Sequence, residues 1–464
     1  MSIGKPYWTP HEYQEEGIRL ALSQAALGLF LDPGLGKTSL VLAAFKILKD
    51  KGLASKLLVI APLRPCYAVW PTEIEKWANF SELSYTIVHG ADKEDSLRAD
   101  ADIYIINPEG LVWLYDERYM ASRGDLNTFD ILCIDESTKF KDSTTRRFKT
   151  LRPRLHLFKR RWILTGTPSP NGIADLFGQI LILDGGRALG KYKTNFQNHF
   201  FYRSGFNMYD WKPRPGAFEE IVKLISPLIY QLNAEDYLKM PEQIVVDIPV
   251  TLPDSAMKTY KEVEDDFITR LDDDVLVADN AAVAGIKCRQ IANGAVYTGE
   301  TFKVVHEAKI EALQDLLDEL NGHPVLVLYE FRHDQERLAS AFPLATTLGS
   351  GTSPKALEGI VARFNAGDIP ILLGHPASMG HGLNLQGACH HVIWFGIPWN
   401  LEHYDQTIAR VYRQGQKAEH VFIYHLVATG TLDEKVSKVL KAKDKDQQKL
   451  LNTLHETRAG TLTR

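Results

Sequence analysis

Residues 34–38 of this chain carry the side chains best suited to binding a phosphate. Gly34 and Gly36 lack a Cβ, so the backbone N–H groups of a loop around Leu35 can close around phosphate oxygens. Lys37 supplies a positive charge for β- and γ-phosphates, and the hydroxyl of Thr38 is a suitable ligand for Mg²⁺. The types and spacing of these residues therefore predict a site for a nucleoside triphosphate with magnesium.

A helix has to follow this loop if a helix N-terminus is to point at the bound anion. Gly52 suits the C-terminal end of such a helix, and the apolar residues before it recur at helical spacing. The full phosphate-loop pattern has glycine at position 31, where this chain has Leu31. The helix context still favours a phosphate site over a turn without a ligand. The expected apolar face of the helix consists of Leu40, Val41, Ala44, Phe45 and Leu48.

A pair of acids, Asp135 and Glu136, follows the apolar run 131–134. The carboxyl ends of buried parallel strands are where such sheets bind ligands. Asp135 is therefore a candidate to hold Mg²⁺ through water, and Glu136 to orient or deprotonate an attacking water. The alternative is a pair of surface charges, which fits less well with a position downstream of a Gly-Lys-Thr loop.

Short apolar runs alternate with helical patterns along the chain, which is typical of parallel sheets joined by crossover helices. The alternation occurs once in each half, so the sequence predicts an α/β protein in which one parallel-sheet fold is used twice. The predicted strands are 57–61, 103–106, 131–134 and 162–164 in the first half, and 325–328, 371–373, 392–395 and 421–424 in the second.

The alternation breaks between the two halves. Residues 185–215 are rich in Gly, aromatic and basic residues, and residues 240–253 contain three prolines, which is typical of a connector. The expected domains are an N-terminal lobe at 1–240 with a helical insertion at about 180–235, a connector and helical extension at 241–300, and a C-terminal lobe with a C-terminal helix at 301–464.

The composition is that of a globular protein without a membrane span. The chain of 464 residues is 45% hydrophobic and 24% charged, with no apolar run of about 18 residues and no N-terminal signal pattern. Four scattered cysteines without a CxxC pair favour a reducing compartment over a disulfide framework or a zinc ribbon. The net charge is −5, but residues 139–161 contain ten Lys or Arg and one acid, either as a basic track or as a solvated face.

Several motifs stand in an order that resembles a known family. Tyr13-Gln14 is followed by the Gly-Lys-Thr loop, the acid pair and Leu164-Thr165-Gly166-Thr167-Pro168. Over residues 7–440 this order resembles the Swi/Snf-type branch of superfamily-two helicase-like ATPases, which implies two RecA-like lobes in tandem with ATP bound in the cleft between them. The motifs of the second half are 380–385 (Gly-His-Gly-Leu-Asn-Leu), 399–400 (Trp-Asn), 406–416 (Gln-Thr-Ile-Ala-Arg-Val-Tyr-Arg-Gln-Gly-Gln) and 430–435 (Gly-Thr-Leu-Asp-Glu-Lys).

The resemblance implies roles for residues of the first lobe. Gln14 matches the glutamine that reads adenine, and the segment 165–167 matches the one that couples hydrolysis to movement of the lobes. Thr138 stands where the family has a histidine that links the ATP site to this threonine segment. This departure puts the efficiency of coupling in question and leaves metal binding by Asp135 unaffected.

In the second lobe, Gln406, Arg410 and Arg413 match the motif that crosses to the γ-phosphate, and Gly382 matches a nucleotide-binding position. Phosphoryl transfer spreads negative charge over the equatorial oxygens, and an arginine delivered there contributes about 10³–10⁵ in rate. Arg410 and Arg413 are spaced i, i+3, so we expect both on one helix face and reaching one cleft. The alternative is a solvated basic pair.

Motors of this family hold the phosphate backbone and read little sequence. By resemblance, Arg64, Asn107 and Ser378 are candidate nucleic-acid contacts. Residues 192–211 are rich in aromatic side chains, which either pack their own helices or stack on bases at a fork.

The leading hypothesis is an ATPase stimulated by nucleic acid, which uses ATP and Mg²⁺ to translocate along duplex or forked DNA and to remodel DNA or protein–DNA complexes. One alternative is a strand-separating helicase acting on DNA or RNA. Another is a non-hydrolysing nucleic-acid-binding adaptor, against which the complete set of phosphate and arginine positions counts. The compact chain resembles a bacterial or bacteriophage member, so we expect a cytoplasmic monomer in a bacterial or phage-infected cell, without membrane contact.

Overall fold

The computed structural model describes residues 5–462 apart from 117, 119–127, 205–209, 239, 267, 272–273, 278–280, 350–351 and 380–382. The chain forms two compact units. The first comprises Met1–Leu238 and Lys445–Arg464, and the second comprises Lys239–Asp444. Each unit contains a large parallel sheet of its own, so the predicted α/β fold used twice is confirmed.

The first unit is built on a seven-stranded parallel sheet. The strands of this unit, including two outside the sheet, are β1 (Ala26–Leu31), β2 (Leu57–Ile60), β3 (Tyr85–Ile87), β4 (Ile103–Ile106), β5 (Ile131–Asp135), β6 (Arg160–Thr165), β7 (Phe201–Ser204), β8 (Asp210–Pro213) and β9 (Ile229–Leu232). The sheet order is β3-β4-β2-β5-β6-β1-β9, while β7 and β8 form an antiparallel hairpin. The strands β2 and β4 are continuously apolar and fully buried, as strands covered on both faces must be.

Helices cover the sheet of the first unit. They are α1 (Glu12–Ser23), α2 (Lys37–Asp50), α3 (Leu63–Ala68), α4 (Trp70–Lys76), α5 (Lys93–Arg98), α6 (Gly110–Leu114), α7 (Arg146–Leu151), α8 (Leu176–Asp184), α9 (Lys193–Phe200), α10 (Ala217–Ile225) and α11 (Ala234–Tyr237). Short 3₁₀ helices lie at Ser137–Phe140, Arg152–Leu157, Ile173–Asp175 and Ser226–Leu228. All five residues predicted for the apolar face of α2 are buried, and Gly52 follows the end of that helix with a φ of 67°.

The second unit is built on a six-stranded parallel sheet. The strands of this unit, including four outside the sheet, are β10 (Glu242–Val250), β11 (Ile268–Leu271), β12 (Asp274–Val277), β13 (Ala295–Thr298), β14 (Thr301–Val304), β15 (Val325–Leu328), β16 (Ala345–Leu348), β17 (Ile371–Gly374), β18 (His391–Trp394) and β19 (His420–Ala428). The sheet order is β10-β19-β18-β15-β17-β16, and β11–β12 and β13–β14 are antiparallel hairpins. The helices that start in this unit are α12 (Asp254–Asp266), α13 (Ala281–Asn293), α14 (Ala308–Glu319), α15 (Arg332–Ala341), α16 (Pro354–Ala366), α17 (Pro376–Met379), α18 (Leu401–Ile408) and α19 (Leu432–Leu462).

The division of the chain differs from the expected domains in three places. The predicted insertion at about 180–235 ends in β9, which pairs with β1 and so belongs to the first sheet. The proline-containing connector at 240–253 contains β10, an edge strand, where Pro249 is tolerated because one side of the strand has no ladder partner. The C-terminal segment from 445 belongs to the first unit, where its leucines are buried in the core.

Candidate functional site

The phosphate loop lies between β1 and α2, at the carboxyl edge of the first sheet. Gly34 and Gly36 have φ angles of 95° and 75°, a region in which residues with a Cβ are strained. The ammonium group of Lys37 lies against the loop, with Nζ donating to the carbonyl of Leu31 at 2.6 Å. The backbone thus has the conformation that a phosphate-binding loop requires, and its lysine is positioned at the same loop.

Gln14 packs directly on the phosphate loop. Its side chain is buried, with Nε2 donating to the carbonyl of Leu35 at 3.0 Å and Oε1 accepting the backbone N–H of His11 at 2.9 Å. A Cβ on Gly36 would lie 2.4 Å from Gln14 Nε2, so glycine is needed at this position for close approach as well as for its φ. The structure therefore brings the glutamine to the phosphate loop, while its predicted reading of adenine stays a prediction.

The acid pair ends β5 at the same edge of the sheet. Asp135 is the last residue of the strand, and its Oδ1 accepts the backbone N–H of Glu136 at 3.1 Å. Glu136 has a φ of 52° and a ψ of 61°, a left-handed conformation that costs a non-glycine residue about 1–3 kcal/mol. Such strain persists where the surrounding structure enforces it, and it is concentrated at functional sites.

Two residues that the sequence did not single out position this machinery. The indole of Trp70, which is fully buried on α4, donates to Asp135 Oδ2 at 3.0 Å. One turn further along α4, Glu73 Oε2 accepts the hydroxyl of Ser39 on α2 at 2.8 Å. Helix α4 therefore holds both the acid strand and the helix of the phosphate loop. The only sequence signal was an i, i+3 spacing of Trp70 and Glu73 on a short helix, which by itself is more often structural.

The threonine segment 165–167 lies between the acid pair and the phosphate loop, because β6 separates β5 from β1. Thr165 and Thr167 are buried, and Thr165 Oγ1 accepts the backbone N–H of Thr167 at 3.0 Å. A Cβ on Gly166 would lie 3.1 Å from the ring of Pro33 in the phosphate loop. Within the described residues, the buried hydroxyl of Thr167 has no hydrogen-bond partner. The segment therefore contacts the phosphate loop.

The donor set of this edge fits ATP with Mg²⁺. The hydroxyl of Thr38 and the carboxylate of Asp135 are hard oxygen ligands of the kind that Mg²⁺ prefers. The described parts of the chain contain no group of three or more His, Cys, Asp or Glu suited to holding a metal ion, so this donor set depends on Thr38 and on oxygens that ATP itself would supply. Burial, together with the nearby charge of Asp135, raises the pKa of the Cys66 thiol to about 12, so this cysteine is not a nucleophile.

The arginine motif lies at the end of α18 in the second unit, and the prediction that both arginines lie on one helix face is wrong. The helix ends at Ile408, and Arg410 and Arg413 follow in successive turns. The backbone N–H groups of Arg410 and Val411 bond to carbonyls three residues back, so the chain tightens and leaves the α-helical path. Gln406 remains on the helix, buried, with Nε2 donating to Glu402 at 3.3 Å.

The two arginines are nevertheless brought to one loop, the segment 383–385. The N–H of Leu385 donates to the carbonyl of Arg410 at 2.9 Å, and the guanidinium of Arg413 donates to the carbonyl of Leu383 and to the side chain of Asn384. Burial lowers the pKa of Arg413. Gly382, the predicted nucleotide-binding residue beside this loop, lies outside the described residues.

Helix α18 is fixed to the second sheet by a chain of hydrogen-bonded polar side chains. The hydroxyl of Tyr404 bonds to His425 Nε2 at 2.9 Å, and His425 Nδ1 bonds to Asp247 Oδ1 at 2.7 Å. Asn400 caps the helix, its Oδ1 accepting the N–H of Glu402 at 2.9 Å. The helix that leads to the arginines is thus anchored at its start and along its length.

The three candidate nucleic-acid contacts all follow parallel strands. Arg64 is on α3 after β2, Asn107 comes directly after β4, and Ser378 is on α17 after β17. Arg64 is half-buried, which lowers the pKa of its guanidinium. Because β2 pairs with both β4 and β5, the first two candidates lie at the sheet edge that carries the acid pair.

Most of the basic run 139–161 is engaged in internal contacts. Arg147 bonds to Glu109, Lys159 to Asp130, and Arg160 to backbone carbonyls of α1 and its C-terminal end. Arg146 and Lys149 are exposed. The run is therefore largely a set of structural contacts with a smaller exposed basic group on α7.

The aromatic residues of 192–211 divide in the same way. Phe196, Phe200 and Phe201 are buried and contact one another in the core, which favours the packing interpretation for them. Tyr192 and Tyr202 are exposed.

In the described part of the chain, no helix has the length and apolar character needed to cross a bilayer.

Comparisons with known proteins agree with these motifs. The SNF2-related domain family matches residues 13–300, and the Helicase conserved C-terminal domain family matches residues 308–415. Protein p41 of the Acyrthosiphon pisum secondary endosymbiont phage 1 is 36% identical, with 96% of this chain and 99% of that protein covered.

More distant relatives are longer than this chain. The Bos taurus DNA annealing helicase and endonuclease ZRANB3 is 26% identical over 91% of this chain, which spans only 38% of that protein. The Bacillus subtilis ATP-dependent helicase YqhH is 23% identical, with 94% of this chain and 79% of that protein covered. A solved structure, the Sulfolobus solfataricus SWI2/SNF2 ATPase core in complex with dsDNA, is 24% identical over 97% of each chain with a TM-score of 0.45.

Proposed function

Because the chain belongs to the SNF2-related family of helicase-like ATPases, we propose that it hydrolyses ATP to move along duplex DNA and to remodel DNA or protein–DNA complexes. The observation that carries the proposal is the order of three strand ends in one sheet. The phosphate loop follows β1, the threonine segment ends β6, and the acid pair ends β5, with β6 between the other two. A phosphate-binding group, a coupling segment and a general base thereby share one edge.

The residues of the first unit have distinct tasks in this proposal. Lys37 and the backbone N–H groups of the phosphate loop bind the β- and γ-phosphates, while Gln14 holds the loop and faces the base. Thr38 and Asp135 would hold Mg²⁺, which supplies charge neutralisation at the phosphate oxygens. Glu136 orients and deprotonates the attacking water, and its strained backbone fixes the carboxylate in place.

The second unit contributes positive charge in the transition state. We propose that Gln406, Arg410 and Arg413 reach the γ-phosphate when bound ATP draws the lobes together, because a guanidinium stabilises charge on the equatorial oxygens. The contacts of the Arg410 backbone carbonyl and of the Arg413 guanidinium with the segment 383–385 support this role, since they hold both residues at one loop. Alternate closing and opening would then move the lobes along the backbone.

Duplex DNA is the proposed track. Arg64, Asn107 and Ser378 would contact phosphates of the backbone, and the exposed basic group on α7 would add sequence-independent attraction. The burial of Phe196, Phe200 and Phe201 removes three of the aromatic candidates for a strand-separating wedge, which favours translocation over strand separation. Phe206 and Tyr209 of the same stretch lie outside the described residues. We also propose that the chain acts as a monomer in the cytoplasm, and that the cell is bacterial or phage-infected because a phage protein is among its relatives.

The test is ATP turnover with different polymers. ATP hydrolysis is measured without polymer and with single-stranded DNA, duplex DNA, forked DNA and RNA, between about 50 and 200 mM salt. The proposal expects the largest stimulation with duplex or forked DNA and a loss of stimulation as salt rises. Equal turnover with and without every polymer would contradict it, and the variant Lys37→Ala controls for a contaminating ATPase.

A further inference from the structure

Helix α8 contains a buried amide in an otherwise apolar environment. All nine residues of Leu176–Asp184 are buried, and Gln179 is the uncharged polar residue in the middle of the helix. A buried amide costs stability unless it is hydrogen bonded. The partners of Gln179 therefore indicate why this position carries an amide rather than a leucine.

Gln179 connects the acid loop to the threonine segment. Its Oε1 accepts the hydroxyl of Ser137, the residue after Glu136, at 2.6 Å. Its Nε2 donates to the carbonyl of Pro168, the residue after Thr167, at 2.7 Å. One side chain thus spans the two loops that follow β5 and β6, and only a group that both accepts and donates can make this pair of bonds.

The backbone beside Gln179 is closely packed against the acid loop. A Cβ on Gly178 would lie 2.3 Å from the carbonyl oxygen of Phe140 and 2.6 Å from that of Lys141, so α8 lies directly on the backbone of the acid loop. Lys141 also forms an ion pair with Asp175, one residue before α8, at 3.4 Å. A displacement of the acid loop is therefore transmitted to α8 and through Gln179 to Pro168.

We propose that Gln179 is a positioning residue that couples the acid loop to the threonine segment. This inference rests on the proposed function, in which Glu136 orients the water that attacks the γ-phosphate. The link is made by Ser137 and Gln179, directly after the acid pair. Gln179 touches neither nucleotide nor metal in this proposal and acts only through the two loops.

The test uses hydrogen–deuterium exchange with and without a non-hydrolysable ATP analogue, so it needs neither DNA nor turnover. In the wild type, the nucleotide should slow exchange in peptides covering 135–141 and also in peptides covering 163–169. Gln179→Met keeps the volume and loses the hydrogen bonds to Ser137 and Pro168, together with a bond of 3.0 Å to the carbonyl of Asp175 within the same segment. In this variant, protection should remain at 135–141 and disappear at 163–169. Affinity for a fluorescent ATP analogue should stay close to that of the wild type, because Gln179 contacts no phosphate-binding residue.

Two further variants keep the inference testable if Gln179→Met unfolds. Ser137→Ala removes the same bridge from its other end with a smaller change in volume. Gln231→Met is the matched control, because Gln231 is a buried amide of the same unit that bonds to Asn233 and not to the acid loop. Protection that still reaches 163–169 in both bridge variants would overturn the inference, and so would its loss in the control.

Turnover separates this inference from the proposed function. If the inference holds, duplex stimulation of kcat falls about 5- to 150-fold in Gln179→Met with an unchanged KM for ATP, which is the range of typical coupling between sites. Adding Ser137→Ala to this variant should have little further effect, because both changes break one link. A wild type without duplex stimulation would contradict the proposed function, while the exchange experiment would still decide the role of Gln179.

Discussion

Replacing Trp70 by phenylalanine should weaken magnesium binding while the fold persists. The indole of Trp70 is fully buried on α4 and donates a hydrogen bond of 3.0 Å to Asp135 Oδ2. Phenylalanine keeps most of the apolar contact and removes the donor. The carboxylate of Asp135 then loses one of the groups that hold it in the orientation proposed for the metal.

The loss of this hydrogen bond should change both the affinity for Mg²⁺ and the free energy of unfolding. A hydrogen bond to a charged group contributes about 1.5–3 kcal/mol, and groups that orient a metal ligand typically change metal affinity or activity by about 10–100-fold. Loss of the larger ring from a filled core should lower the free energy of unfolding by about 1–3 kcal/mol. We therefore expect a loss of Mg²⁺ affinity of about tenfold or more.

Magnesium titration with a fluorescent ATP analogue measures the effect directly. Trp162→Phe is the matched control, because Trp162 is equally buried in β6 and its indole N–H has no hydrogen-bond partner among the described residues. Both variants should lose similar stability, whereas only Trp70→Phe should need more Mg²⁺. Identical magnesium dependence of Trp70→Phe and wild type would refute the assignment of Trp70 as the group that positions Asp135.

Three further predictions concern the catalytic residues, a buried histidine and the anchor of α18. Lys37→Ala should abolish ATP turnover, and Glu136→Gln should bind ATP but not hydrolyse it; undiminished turnover in both would contradict the site. Burial lowers the pKa of His306 from 6.5 to about 4, and both of its ring nitrogens bond to backbone groups. Because the unfolded chain binds more protons in this window, the free energy of unfolding should fall by up to about 3 kcal/mol as pH drops from 6.5 to about 4. Urea midpoints across this pH range should vary less in His306→Gln. Tyr404→Phe should cost about 1 kcal/mol of stability and lower kcat without changing ATP affinity, as steady-state kinetics and urea unfolding would report.

The sheets and the phosphate site were predictable because their signals are local. Continuous apolar runs predicted eight strands that the structure contains, and Gly34-Leu35-Gly36-Lys37-Thr38 predicted both the loop and the helix after it. These signals depend on neighbours in sequence, through side-chain periodicity and the φ angles that only glycine adopts readily.

Edge strands and long-range polar contacts were not predictable in this way. Pro249 made the segment of β10 look like a connector, although an edge strand tolerates proline. β9 is an edge strand within a segment that looked irregular, so it was not predicted. β1 was also not predicted, although it is apolar and lies inside the sheet. The roles of Trp70 and Gln179 depend on partners 65 and 42 residues away in sequence, and no spacing rule connects such pairs.

Triplex displacement tests the central claim most directly. A fluorescent third strand is annealed to a long duplex without a fork, and its release is followed with ATP for the wild type and for Glu136→Gln. Movement along the duplex predicts release by the wild type, none by Glu136→Gln, and an intact underlying duplex in both cases. Rapid duplex-stimulated ATP turnover by the wild type without release of the third strand would contradict the account.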